Sequence, residues 1–190
     1  MSLAGEEPGP PGSFVIVSGL PASGKSRLGT ALGPLLGLPL LDKDDFLERL
    51  YARDGVGDAS WRTRLSRQAD DLFRAAAMDI GGAVLVSFWR HAGQTDGGTP
   101  SEWLRALPGP LVEVHCDCPA RLALERFSRR NRHPGHLDAA RDRASLERKF
   151  DEYAVRGPLG LNTSIIVDTT EHPDAGALAA RIRRALDQDA

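Results

Sequence analysis

The chain has 190 residues, 41% of them hydrophobic and 26% charged, with a formal net charge of −2. That length suits one compact domain rather than two. No apolar run approaches the roughly 20 residues of a membrane span, and the charge excludes the global basic field that holds nucleic acid.

In chain order, Met1–Gly12 is rich in Gly, Pro and Glu. It lacks the basic and apolar regions of a signal peptide, so a disordered tail over 1–12 is expected before a single domain over 13–190. Phe14-Val15-Ile16-Val17-Ser18 is an apolar run bounded by Gly, the pattern of a strand buried on both faces. A Gly-rich turn and a helix over Lys25–Leu36 follow, then a short strand over Pro39–Leu41. Asp44–Arg53 and Ala59–Ile80 have helical spacing, with Leu65, Leu72, Phe73 and Ala76 as the apolar face of the second. Ala83–Trp89 reads as a central strand and His91–Pro100 as a loop. Leu111–Cys116 and Ser164–Asp168 read as further strands, Pro119 suits the first turn of a helix, and Asp174–Leu186 closes the chain as a helix. Strands alternating with helices predict an α/β fold with a five-stranded parallel sheet covered on both faces. Cys116 and Cys118, the only cysteines, are too few for a structural zinc site and read as buried, reduced thiols of a cytoplasmic protein.

Gly19-Leu20-Pro21-Ala22-Ser23-Gly24-Lys25-Ser26 satisfies G-x-x-x-x-G-K-[ST] at every fixed position, between a buried strand and a helix. Gly19 and Gly24 permit the dihedrals that turn successive N–H groups inward around phosphate oxygens. The helix starting at Lys25 adds its positive end. Lys25 is expected to bridge the β- and γ-phosphates and the Ser26 hydroxyl to ligate Mg²⁺. The candidate nucleotide-binding set is Gly19, Ala22, Ser23, Gly24, Lys25, Ser26 and Arg27. The N-K-x-D motif that reads guanine is missing, so ATP is the expected nucleotide.

Asp42-Lys43-Asp44-Asp45-Phe46 follows the second strand, where strand ends converge on the ligand crevice. Phosphoryl transfer to a hydroxyl needs a carboxylate that accepts or orients the acceptor proton. Asp44 is the candidate for that role and Asp42 for a share in holding Mg²⁺; helix capping is the alternative for this acidic run. The P-loop followed by D-x-D-D-[FY] resembles that of the AAA_33-type P-loop small-molecule kinases, a group that includes gluconate and shikimate kinases, chloramphenicol phosphotransferase and the kinase domain of phage polynucleotide kinase. The resemblance spans roughly Phe14–Leu186 and implies a three-layer P-loop fold with strand order 2-3-1-4-5, as in nucleoside-monophosphate kinases. It also implies that Asp44 is the base and acceptor contact.

The third strand runs into Ser87-Phe88-Trp89-Arg90 rather than the Asp of a Walker-B strand, which argues against a motor-type ATPase and leaves Ser26, Asp42 and water to complete the Mg²⁺ shell. In the resembling kinases this strand end faces the acceptor, which makes Ser87, Trp89, Arg90 and His91 candidate lining residues; Trp89 reads equally well as a core aromatic. Arg121, Arg126, Arg129, Arg130 and Arg132, on or just beyond the helix after the fourth strand, together with the helix-breaking Asn131–Asp138, resemble a kinase lid over about 129–142. Cations closing over the transferred phosphoryl favour the transition state. The family pattern implies Arg126 on the adenine or phosphate side and Arg130 or Arg132 at the γ-phosphate; pairing with Glu125 and Asp142 is the alternative. His133 and His136 read as a lid hinge or acceptor contact rather than zinc ligands. Asp168 and Thr169 resemble the turn that skirts the adenine. The expectation is a kinase moving the γ-phosphoryl of ATP, with Mg²⁺, to a small-molecule hydroxyl. Its rivals are a polynucleotide 5′-kinase and a nucleotide-binding regulator with slow hydrolysis.

Overall fold

The computed structural model describes residues 12–95, 97–138 and 141–188, so the expected tail, Gly12 aside, lies outside the described residues, as do positions 139 and 140 of the expected lid. Strand β1 (Phe14–Gly19) takes the centre of the sheet because Phe14 to Ser18 are all buried, as a strand with neighbours on both edges and both faces requires. It pairs in parallel with β3 (Ala83–Val86) on one side and with β6 (Leu111–Asp117) on the other. Edge strands β2 (Leu40–Asp42) and β7 (Thr163–Asp168) complete the order β2-β3-β1-β6-β7, which within this sheet is the expected 2-3-1-4-5.

The alternation of β1 divides the core. Val15 and Val17 face helices α1 (Lys25–Leu36) and α6 (Ala175–Gln188), packing with Leu28, Leu32, Leu178, Ile182 and Leu186. Phe14 and Ile16 face α3 (Ala59–Ile80) and a 3₁₀ turn over Glu102–Ala106, packing with Phe73, Ala77, Trp103 and Leu104. Side chains buried this fully each contribute about 1.5–3 kcal/mol relative to exposure, and the two faces together give three layers.

Several expectations need correction or addition. The third strand ends at Val86 rather than Trp89. Its continuation Trp89–Arg90 (β4) instead pairs in parallel with Thr99–Pro100 (β5), so the expected loop carries a strand at its end. On α3 the buried stripe runs Leu65, Ala69, Phe73, Ala77, while Leu72 is 45% exposed, because it lies about 100° around the helix from Phe73. Helix α2 spans Lys43–Asp54, and it is Asp42 that caps it, accepting the Asp44 N–H at 3.0 Å. Finally, α5 (Arg143–Ala154) is a helix that the charged sequence did not reveal; its one buried residue, Phe150, meets Phe127 of α4 (Ala120–Arg129) edge-on at 5.6 Å. Among the described residues no helix is long and apolar enough to cross a membrane.

Candidate active site

The loop from Gly19 to Ser26 joins the C-terminal end of β1 to α1. Gly19 (φ 127°) has no room for a side chain, since a Cβ would stand 2.5 Å from the Cys116 carbonyl oxygen. Ala22 (φ 60°) holds a left-handed conformation uncommon for a non-glycine residue, the kind of strain kept at functional loops. Gly24 caps α1 without a side-chain acceptor, so N–H groups of the first turn stay available to an anion. Lys25 is 8% exposed, and its ammonium donates to the Gly19 and Leu20 carbonyls at 3.1 and 2.6 Å. Burial lowers its pKa to about 8, against the raising influence of Cys116, Asp44 and Asp42. A cation stored at such a cost is poised to gain from a polyanion.

Asp42, the last residue of β2 and the cap of α2, and Asp44, in the first turn of α2, lie on either side of Lys43. Asp42 is buried, and desolvation raises its pKa although the Ser26 hydroxyl donates to it. The Ser26–Asp42 pair thus joins the two positions expected to hold Mg²⁺, a hydroxyl and one carboxylate of the hard oxygen type that ion takes. No group of three His, Cys, Asp or Glu side chains forms a metal cluster among the described residues, so the remaining ligands of such an ion would be phosphate oxygens and water. Asp44 is ion-paired with Arg132. Burial works against the Asp44 charge, but Arg132, followed by His136, Lys43 and Lys25, outweighs it and holds the carboxyl below its ordinary range. Asp45 is exposed.

The arginines divide their tasks. Arg126 donates to the carbonyls of Thr169 and Thr170 at 2.9 and 2.7 Å, clamping α4 to the turn after β7. That clamp borders a cleft of about 250 Å³ lined by Gly24, Arg27, Leu28, Arg126, Thr169 and Pro173, beside the phosphate loop. Thr169 is buried with its hydroxyl on the Asp117 carbonyl, whereas the Asp168 carboxylate turns away to accept the Thr170 N–H. Arg130 lies 3.9 Å over the Phe127 ring and 3.0 Å from Asp138, which also meets Arg132 at 3.5 Å and Arg141 at 3.6 Å. Arg121 pairs with Glu125 at 3.7 Å on the surface, Asp142 caps α5, and Arg129 is exposed.

The segment after α4 is docked onto α2 through Tyr51. Trp61 and His133 stack on the Tyr51 ring at 5.2 and 5.3 Å, and His136 meets it edge-on at 5.2 Å. Gly135 lies so close that a Cβ would fall 2.6 Å from the ring. His136 is 1% exposed and bonds Glu48 at 2.9 Å, while burial lowers its pKa and Arg132 adds to the shift. This platform of Glu48, Tyr51 and Trp61 left no trace in the sequence, since its partners lie far along the chain and no local spacing connects them.

At the end of β3, Ser87 is bonded to Thr99 at 2.6 Å, and Trp89 is a core residue whose indole N–H donates to the Val17 carbonyl at 3.0 Å. His91 contacts the Gly157 and Pro158 carbonyls and borders, with Phe88, His115 and Tyr153, a second cleft of about 160 Å³ beside Gly19 and Leu20.

Comparison with known proteins gives this geometry its relatives. The AAA_33 family, described as an AAA domain, matches residues 14–152. Shikimate kinase of Mycobacterium ulcerans (strain Agy99) is 30% identical over 181 residues, covering 90% of this chain and 88% of that protein. A crystal structure of a candidate kinase from Chloroflexus aurantiacus superposes with a TM-score of 0.74 at 28% identity, covering 92% of this chain and 98% of the other. A gluconokinase from Sinorhizobium meliloti shares the fold, with a TM-score of 0.54 at 19% identity over 93% and 96% of the two chains. With a phosphate loop ahead of an acidic helix start, no carboxylate at the end of β3 and these relatives, the chain belongs to the P-loop small-molecule kinases of the AAA_33 family.

Proposed function

We propose that the protein transfers the γ-phosphoryl group of ATP to a hydroxyl of a small molecule of the sugar, nucleoside or antibiotic type. The observation that carries this reading is the place of Asp44: a carboxylate held ionised, electrostatically coupled to the phosphate-loop lysine and ion-paired with an arginine of the lid. A protein that only bound nucleotide would need neither the carboxylate nor the arginine. Asp44 orients the acceptor hydroxyl and takes its proton as the oxygen attacks. Lys25 moves from the Gly19 and Leu20 carbonyls to the β- and γ-phosphates, and Arg130 and Arg132 neutralise charge on the equatorial oxygens. Arg126 and Thr169 shape the adenine side. Mg²⁺, held through Ser26 and Asp42, would supply charge neutralisation and orientation of the phosphates. We infer a cytoplasmic setting, where ATP is at hand and thiols such as Cys116, whose pKa burial raises to about 12, remain reduced.

The test is ADP release from ATP-Mg²⁺ across hydroxylated metabolites and antibiotics, beginning with shikimate and gluconate, with Asp44→Asn in parallel. Stimulation by an acceptor, reduced about 10²–10⁴-fold in the variant, supports the reading. Slow hydrolysis that no acceptor accelerates and that Asp44→Asn leaves unchanged would overturn it in favour of a nucleotide-binding regulator.

A further inference from the structure

Lys43 stands between the two carboxylates on which the proposed reaction depends, yet its own side chain goes elsewhere. It is the first residue of α2, where a cation opposes the helix dipole, and it is only 8% exposed. Its ammonium lies 3.3 Å from Asp70 of α3 and donates to Ser66 of the same helix at 2.8 Å. Asp70 accepts in addition the Thr99 hydroxyl at 2.9 Å, and Thr99 contacts Ser87 at 2.6 Å. Thr99 has a single hydroxyl proton, which it gives to Asp70, so Ser87 is the donor in the second contact. Ser87 and Thr99 are 5% and 1% exposed. A directed chain therefore runs from Ser87 through Thr99 to Asp70 and meets Lys43 there. It links the end of β3, the β5 strand, α3 and the N-terminus of α2.

We propose that Lys43 and Asp70 are positioning residues for phosphoryl transfer, fixing the start of α2 so that Asp42 and Asp44 face the phosphate loop. The proposal rests on the role given to Asp44 above. Three observations support it. First, a lysine buried at a helix N-terminus is unfavourable in itself, and an apolar side chain would fill the space without a charge to compensate. Second, through Thr99 and Ser87 the pair ties α2 to the end of β3, whose continuation through Phe88, Trp89 and His91 borders the cleft beside Gly19. Third, a short ion pair with three supporting hydroxyls restricts the helix start in direction as well as distance, which apolar packing does not. In-line transfer is sensitive to displacements of about 1 Å, which can cost on the order of 10²-fold in rate.

The test compares Lys43→Met, Asp70→Asn, Thr99→Val and the apolar double variant Lys43→Met/Asp70→Leu, with Asp44→Asn as reference. ADP release from ATP-Mg²⁺ is followed with water as acceptor and with any stimulating acceptor, and each protein is melted thermally. The expected result is a fall in kcat of about 10²-fold for either charge deletion, with KM for ATP within about threefold. Thr99→Val should lose several-fold. The double variant should recover the melting temperature lost in the single variants but not their kcat, which separates geometry from stability. If a single charge deletion fails to fold, the double variant and Thr99→Val decide alone. Recovery of kcat together with melting temperature in the double variant, or an unchanged kcat in Thr99→Val and Lys43→Met while Asp44→Asn is inactive, would overturn the positioning role. An active Asp44→Asn would overturn instead the reading of Asp44 on which this role rests.

Discussion

The proposed donor side and the proposed acceptor side of this molecule are assembled by different means. Around the phosphate loop, the chain makes its site from contiguous backbone: Gly19, Ala22 and Gly24 take positive φ, and Lys25 folds back onto carbonyls five and six residues away. On the proposed acceptor side, side chains meet from distant segments. Arg132 reaches Asp44 and His136 reaches Glu48 across 88 residues each, and Thr99 reaches Asp70 across 29. Backbone cradles suit the phosphates, which are common to every reaction of this family, whereas side-chain constellations can be altered one residue at a time without disturbing the loop.

The largest expected effect breaks the donor side. Lys25→Met should lower transfer by at least about 10³-fold, because the developing phosphoryl charge loses its principal cation. The same change should stabilise the ligand-free protein. Lys25 has a folded pKa of about 8 against 10.5 unfolded. A depressed folded pKa means that the cost of the buried charge is full below pH 8 and is relieved as pH rises to 10.5. The variant's advantage at pH 7 should approach about 3 kcal/mol and shrink through that window. Denaturant melts of both proteins at several pH values check this, and equal stabilities at pH 7 would count against the buried, unfavourable lysine.

A smaller effect is expected where the two sides meet. Arg132→Ala removes the strongest influence holding Asp44 below its ordinary range, leaving His136, Lys43 and Lys25 to oppose the raising effect of burial. The acid limb of kcat/KM should move upward, so that the variant loses activity at acid pH where the parent keeps it, in addition to a loss of roughly 10²-fold at neutral pH. A pH profile that falls in magnitude but keeps its shape would assign Arg132 to phosphate alone. The smallest effect belongs to the clamp on the proposed nucleotide cleft. Arg126→Ala frees the Thr169 and Thr170 carbonyls, and should raise KM for ATP about tenfold with kcat within about threefold. A large loss of kcat instead would move Arg126 from shaping the cleft to the transition state.

The contrast also explains what could be read in advance. The phosphate loop, its strand and its helix were legible because their signals are local: spacing, glycine and a buried apolar run within about a dozen residues. The start of α2 was legible in composition but not in division of labour. The acidic run announced both capping and chemistry, and only the fold showed that Asp42 does the capping while Asp44 meets Arg132. Leu72 was misread because helical spacing fixes the width of a stripe better than its centre. The β4–β5 ribbon and α5 were not legible, since two-residue strands and a charged helix with one buried residue carry almost no periodic signal.

The sequence by itself determined the sheet, its order through the family resemblance and the candidate phosphate cradle, because hydrophobic alternation and backbone conformational preference act over short stretches of chain. Tertiary structure alone decided which arginine meets Asp44, that Tyr51 receives the segment after α4, and that Lys43 turns away from the carboxylates beside it to Asp70. Those are encounters between buried polar and aromatic groups remote in sequence, where desolvation demands a partner but does not say from which part of the chain it comes.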